Sequence, residues 1–456
     1  MPALRIGLGS KPLGHSKLNV VLDDTREYQP VLGLGGTLTD SSAQLFSNIK
    51  TRNSRNYWEM LNYLFSPVEG ANAAGLSYVR VPLGASDFSE KVYSYDDFDG
   101  DLCLNDFDID YAPAYVFDVL KDIQAVNSML RVHVVPWSPP AWMKDSGTAF
   151  GGFLKSQYIP IYAHYLFKSL QGFQKKGITP YAISVQNEPM YESNTHPSAK
   201  FTPQTEAQVG RALKDLMKGS AGLSNTKLIG FEHNWDQAGG YPSQLMQIAG
   251  DIFDGVAFHC FSGSAGEQDK FRAAYPDKEI YLTECSGTIG SDWWSDIKVN
   301  FSPLALPESP FNESYQWQKY TDMLIGSIEH NARAALMWNL ALDGSGNPRL
   351  PGTGAKCGGA GCRGIVTVNS NGTWSVNQES PAPNATKFSS LNQILQRSKK
   401  SSATQQNPPS LDEILRCPTK PSIARRVLRE DFMLPTLEDL PTAHTTTFAY
   451  QDPDAA

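Results

Sequence analysis

The sequence predicts an α/β chain folded as a (β/α)8 TIM barrel with a partial β-sandwich beside it. Three observations carry the prediction. Eight short apolar, β-branched runs lie between residues 31 and 342, and each ends in small or polar residues. Such near-continuous apolar strands belong to a parallel sheet covered on both faces. Helical patterns or long loops separate the runs, as βα units require. Past the eighth run a short apolar run, an Asn-Gly pair and a second short run read as a hairpin that begins another sheet.

In order, the strand runs are VLGLGGTLT (31–39), LSYVRVPLG (76–84), RVHVVPWS (131–138) and YAISVQNEP (181–189). KLIGFEHN (227–234), GVAFHCF (255–261), EIYLTECS (279–286) and AALMWNLAL (334–342) complete the set. Helical periodicity fills PAYVFDVLKDIQAVN (113–127), IPIYAHYLFKSLQGFQKKG (159–177) and TEAQVGRALKDLMKG (205–219). The hairpin lies in RGIVTVNSNGTWSVNQE (363–379).

Composition narrows the function. The chain has 456 residues, 41% hydrophobic and 19% charged, enough apolar material for a sizeable core. Lys+Arg 39 against Asp+Glu 47 leaves a net charge of −8, which argues against nucleic acid or anionic lipid as the main partner. No apolar run is long enough for a transmembrane helix, and the first residues show no signal-peptide h-region. The cysteines have no zinc-type spacing. Cys357 and Cys362, in the Gly-rich CGGAGC, could close a small disulfide ring or stand as two free thiols. Cys260 and Cys285 alternate away from their polar neighbours and are expected as buried free thiols. Asn312, Asn371 and Asn384 begin N-x-[ST] sequons, which hint at secretion and glycosylation.

A barrel places its chemistry at the C-terminal ends of its strands. There the sequence offers Arg80 and Asp87, Trp137, Asn187-Glu188-Pro189, His259, Glu284 and Trp338-Asn339. Pro189 keeps Glu188 out of the right-handed helical region, so the strand is expected to stop there with its side chain at the rim. Two carboxylates at one mouth suit glycosidic cleavage. One must be protonated to assist the leaving oxygen, and the other ionised to act on the anomeric carbon. Trp137 among prolines at a strand end is expected to be exposed.

These residues carry a resemblance. GLGGTLTD (33–40), VRVPLGASDFS (79–89), PWSPPAWMK (136–144), QNEP (186–189), FHCF (258–261), TECSG (283–287) and MWNLALD (337–343) together resemble glycoside hydrolase family 30, the glucosylceramidase-like group. The resemblance covers about residues 25–378. It implies that Glu188 is the acid/base and Glu284 the nucleophile of a retaining double displacement. It further implies that Asp87 bonds sugar hydroxyls, Trp137 and Trp338 wall the cleavage subsite, and Asn187 reaches the 2-hydroxyl. His259 and Phe261 match the strand 6 pair, with Phe261 lacking the hydroxyl of the Tyr found in many relatives. Arg80 matches an Arg that pairs with the nucleophile and keeps it ionised. On this mechanism Glu188 should titrate high and Glu284 low. No metal or organic cofactor is implied. SYDDFDGDLCLNDFDID and CGGAGCRGIVTV look more like the fungal endo-β-1,6-glucanase branch, so a β-glucan is the expected substrate. Glucosylceramide is the alternative, and an inactive carbohydrate-binding barrel is a third reading. The family also implies an extracellular site of action. Oligomeric state is not encoded in any of these motifs.

The expected organisation is a short sandwich segment at 1–30, the catalytic barrel at 31–350, the start of a β-sandwich at 351–379 and a divergent tail at 380–456. All 37 Gly and 9 Trp lie at or before Trp374, and nine Pro follow from Pro381 onward. That composition favours a disordered tail. The rest of the sandwich is expected to be missing from this chain, as a faulty gene model would leave it; the alternative is a genuine regulatory tail.

Overall fold

The structure, a computed structural model, describes residues 28–286, 326–353 and 362–377. The expected segment at 1–30 lies almost wholly outside these residues, as do the tail at 380–456, Cys357 and the sequons at Asn312 and Asn384.

Eight parallel strands close into a barrel in chain order. They are β1 (Gly33–Thr37), β2 (Tyr78–Leu83), β3 (Arg131–Pro136), β4 (Ala182–Ser184), β5 (Lys227–Asn234), β6 (Gly255–His259), β7 (Glu279–Glu284) and β8 (Ala332–Met337). β1 pairs with β8 through Gly33↔Ala334 to Gly36↔Met337, which seals the sheet. Two helices, α1 (Asp40–Arg52) and α2 (Ser54–Phe65), follow β1. Then come α3 (Ala114–Val126), α4 (Ile159–Lys175), α5 (Pro203–Lys218), α6 (Tyr241–Ala249) and α7 (Gln268–Ala274). Local chemistry sets the helix starts. Thr39 caps α1 by accepting Ser42 N–H at 3.2 Å, and Thr202 caps α5 by accepting Thr205 N–H at 3.1 Å ahead of Pro203.

Side-chain alternation divides the core. Tyr78, Ala182, Ile229, Ala257, Tyr281, Ala334 and Leu336 pack together as one layer inside the barrel. Val79, Val132, Ile183, Leu228, Val256 and Ile280 belong to the larger cluster that includes the helix faces. Residues two further along a strand share its face. Arg80, Ser184, His259 and Thr283 therefore stand on the same interior face as Tyr78, Ala182, Ala257 and Tyr281, one step nearer the catalytic mouth.

Two sequence readings change. The fourth run was expected to pair as far as Glu188, but only Ala182–Ser184 does. The eighth run divides: β8 ends at Met337, and Ala341–Leu342 forms β9 of a second sheet. There β9 pairs in parallel with β10 (Val366–Val368), which pairs antiparallel with β11 (Trp374–Val376). The β10–β11 turn is the expected Asn371-Gly372 pair, with Gly372 at φ 79°. This small sheet fits a partial side domain.

Candidate active site

Arg80 is fully buried and anchors the centre. Its Nη1 donates to Glu284 Oε2 at 2.6 Å, and its Nη2 to Asn187 Oδ1 at 2.6 Å and Glu232 Oε2 at 2.9 Å. Its guanidinium lies 4.8 Å from the Trp137 ring centroid. His259 bonds Glu188 Oε1 through Nδ1 at 3.0 Å and Glu232 Oε2 through Nε2 at 3.0 Å. One ligand atom each of Glu188, His259 and Glu284 lies within 4.8 Å of the others.

Backbone geometry places the two expected carboxylates. Glu188 adopts φ 44°, a left-handed conformation unusual for a side-chain-bearing residue, rather than the extended one that a following proline favours. Its N–H donates to the Glu232 carbonyl at 3.0 Å, and its own carbonyl accepts Tyr191 N–H at 2.9 Å. These bonds hold a conformation that costs about 1–3 kcal/mol. In the β6–β7 pairing a register shift between Phe258 and His259 sets Glu284, rather than Thr283, opposite His259.

The same register explains a correction. Cys260 and Cys285 are joined in a disulfide, Cα–Cα 5.2 Å, and are not free thiols. Each follows one of the paired residues His259 and Glu284. Both alternate away from the mouth to the same side, which brings their sulfurs together. Cys362 is also disulfide-bonded.

The aromatic expectation changes too. Trp137 and Trp338 are 4% and 3% exposed, not open walls. Their rings stack at 5.1 Å with 21° between planes, and Phe88 meets Trp338 edge-on at 5.7 Å. Phe261 is half-buried, edge-to-face with His259 at 6.3 Å. Asp87 Oδ1 has no hydrogen-bond partner among the described residues, and burial, with the charges of Glu284 and Glu188, pushes its carboxyl up to about 8. A protonated Asp87 can donate to a ligand oxygen as well as accept.

Glu232 and His233, in the fifth run, did not figure among the candidate residues. Glu232 is fully buried and accepts from Ser184 Oγ at 2.6 Å and Thr283 Oγ1 at 2.7 Å, besides Arg80 and His259. Burial works against its charge, but Arg80 and His259 outweigh that and hold the carboxyl far below its usual range. His233 Nδ1 lies 3.9 Å from Glu188 Oε1. The available signal was position: Glu232-His233-Asn234 ends a strand run, as the chosen residues do.

Protonation differs from the sequence expectation. Burial lowers the basicity of His259, but the Glu284 charge and the bonds to Glu188 and Glu232 raise it to about 9, so it is a cation at neutral pH. Burial lifts Glu188, yet the hydrogen bond and charge of His259 bring it below its ordinary value. Burial, with the charge of Glu188, outweighs His259 and Arg80 at Glu284 and carries it above. The physical reason is charge balance. Two buried cations, Arg80 and His259, face three clustered carboxyls, so Glu232 and Glu188 are held below the ordinary range and Glu284 above it. The Glu188, His259 and Glu284 atoms could also ligate an ion, which would first have to displace the proton that His259 holds so firmly.

Comparison with known proteins agrees with this architecture. Residues 31–350 match the glycosyl hydrolase family 30 TIM-barrel domain. The endo-1,6-beta-D-glucanase of Neurospora crassa is 30% identical over 375 residues, 78% of this chain and 70% of that protein. Endo-1,6-beta-D-glucanase BGN16.3 of Trichoderma harzianum is 28% identical over 382 residues, 79% and 70% of the two chains. Putative glucosylceramidase 3 of Caenorhabditis elegans is 27% identical over 351 residues, 73% of this chain and 62% of that one. Among solved structures, the endo-beta1,6-glucanase BT3312 superposes with a TM-score of 0.68 at 26% identity, covering 82% of this chain and 78% of that one. A buried Arg80–Glu284–Glu188–His259 centre at the strand ends of a closed barrel, matched along its whole length, makes this chain a glycoside hydrolase and a member of family 30.

Proposed function

We propose that the chain cleaves the β-1,6-glucosidic bonds of a glucan by a retaining double displacement. The observation that carries this reading is the approach of Glu188 and Glu284, with a carboxylate oxygen of each within 4.8 Å of the other. Retaining enzymes hold their two carboxyl groups about 5–5.5 Å apart, whereas inverting ones leave about 6.5–9.5 Å for a water.

Glu284 attacks the anomeric carbon while Glu188 protonates the leaving oxygen. Glu188 then removes a proton from water, which displaces the sugar from Glu284. Glu188 is held below its ordinary value and Glu284 above, opposite to the order these roles require, so substrate binding must reverse that order. Arg80 Nη1, 2.6 Å from Glu284 Oε2, stabilises the carboxylate this leaves. Asn187, whose Oδ1 is held by Arg80, has its amide N–H groups for the sugar 2-hydroxyl. Asp87 supplies a donor or acceptor to another hydroxyl, and Trp137 with Trp338 forms the aromatic base of the subsite.

The β-1,6 linkage rests on the fungal relatives and on the solved glucanase of similar fold. Their character also supports an exported, extracellular enzyme. No described helix is long and apolar enough to cross a membrane, and the sequon Asn371 is exposed on the β10–β11 turn. The test is digestion of pustulan, a linear β-1,6-glucan, with the first-formed anomer followed by NMR. Release of gluco-oligosaccharides with β-configuration is expected. Activity confined to glucosylceramide, or binding of pustulan without turnover, would overturn the reading.

A further inference from the structure

Strand β5 breaks the alternation that every neighbouring strand keeps. Ile229 faces the barrel interior, so a regular strand would send Phe231 inward and Glu232 outward. The opposite is observed. Phe231 packs outward against Tyr241 of α6 at 5.7 Å and Phe258 at 5.5 Å, while the Glu232 carboxylate meets Arg80 and His259. The reversal comes from two consecutive left-handed residues, Phe231 at φ 76° and Glu232 at φ 55°. The register with β6 shifts between Phe231 and His233. Neither residue is glycine, so the bulge stores strain and needs an external hold.

Glu206, on the first turns of α5, is the side chain that reaches it. Its Oε1 accepts Phe231 N–H at 2.9 Å, and the residue is fully buried. The approach depends on Gly230: a Cβ there would lie 3.2 Å from Glu206 Oε1 and 2.4 Å from Leu245. Glu206 touches none of the reacting groups, and the mechanism above does not use it.

We propose that Glu206 is a positioning residue for the hydrolysis. It holds the Phe231–Glu232 bulge, which turns the Glu232 carboxylate toward Arg80 and His259. The same bulge presents the Glu232 carbonyl to Glu188 N–H. One helix carboxylate thereby fixes the acid/base through its backbone and the nucleophile through Arg80. The inference rests on the roles given to Glu188 and Glu284 under the proposed function.

The test compares Glu206→Met, Glu206→Asp and Glu206→Gln in the full chain, with kcat and KM on pustulan and the His259 titration followed by NMR. Met removes the acceptor, Asp withdraws it by one methylene with charge kept, and Gln retains an acceptor oxygen. Met and Asp should lower kcat about 100-fold with KM little changed, the effect of a small misplacement far from the chemistry. In both, His259 should titrate well below the value of about 9 that contact with Glu232 and the catalytic carboxylates sustains. Gln should restore kcat and the titration to near wild type. If Met does not fold, Asp against Gln decides. Folded Met or Asp variants with wild-type kcat and an unmoved His259 would overturn the proposal, as would a Gln variant as impaired as Asp. A wild-type chain inactive on pustulan would overturn the proposed function instead, and the His259 titration would still decide this inference.

Discussion

Glu284 and Glu232 illustrate two ways a carboxylate serves a buried centre. Glu284 is placed to form a bond, and truncation should show it. Glu284→Ala is expected to abolish turnover, and added azide should restore it by a single displacement whose product has inverted configuration. A rescued product of retained configuration, or no rescue at all, would remove Glu284 from the nucleophile's role. Glu232 is placed to hold others. Its Oε2 alone receives Arg80, His259 and Thr283 within 3.0 Å. Glu232→Gln keeps the shape but leaves two buried cations short of a counter-charge. Breaking a buried pair from one side costs about 3–5 kcal/mol, so a clear fall in Tm is expected. With His259 and Arg80 released, kcat should fall about 100-fold while substrate affinity is largely kept. A Glu232→Gln protein with unchanged Tm and kcat would show that the cluster does not depend on this charge.

At the scale of elements, strand positions were legible in the sequence and side-chain directions were not. KLIGFEHN reads as a strand and pairs over its full length, Lys227–Asn234. Glu232 stayed hidden because alternation sends it outward, and only the left-handed pair Phe231–Glu232 reverses that. Glu188 and Glu284 were readable because they sit in compact motifs, QNEP and TECSG, that end apolar runs. YAISVQNEP overran its strand because the chain leaves the ladder after Ser184 to carry Glu188 to its left-handed turn. The Cys260–Cys285 bond was missed for a related reason. Parity placed both thiols on the outer face, but their adjacency depends on the β6–β7 register shift, which no sequence pattern reports. That bond ties the strand ends bearing His259 and Glu284 across a separation of 25 residues. A loop of this length implies about 3 kcal/mol of stabilisation. The double variant Cys260→Ser/Cys285→Ser should therefore melt lower and, with its strand ends loosened, turn over more slowly. Equal melting and equal kcat would mean that the β6–β7 ladder suffices alone.

For the whole molecule, buried acids set how stability varies with pH. Burial pushes Glu206 up to about 7 and, with neighbouring charges, Asp87 up to about 8, while His259 is held at about 9 against an ordinary 6.5. Each of these groups binds its proton more tightly in the folded chain than in the unfolded one. The stability each contributes is full below its unfolded value and is lost as pH rises through the folded value. Opposing groups act lower. Glu232 and Glu188 are depressed, and burial lowers His133 to about 4. Their contributions are lost as pH falls through the acid range. Between pH 6.5 and 8 these acid-range groups have largely finished titrating; buried Lys144, lowered to about 7, opposes the first set there and offsets part of its effect. Each shifted pKa unit is worth about 1.4 kcal/mol, so the fold should lose on the order of 3 kcal/mol across that interval. Thermal melts from pH 4 to 9 should show a maximum on the acid side of neutrality and a steady fall toward pH 8. A Tm that is flat or rising between pH 6.5 and 8 would mean that these carboxyls and His259 are solvated in the folded chain, and that the centre is not the closed, charge-balanced cluster described.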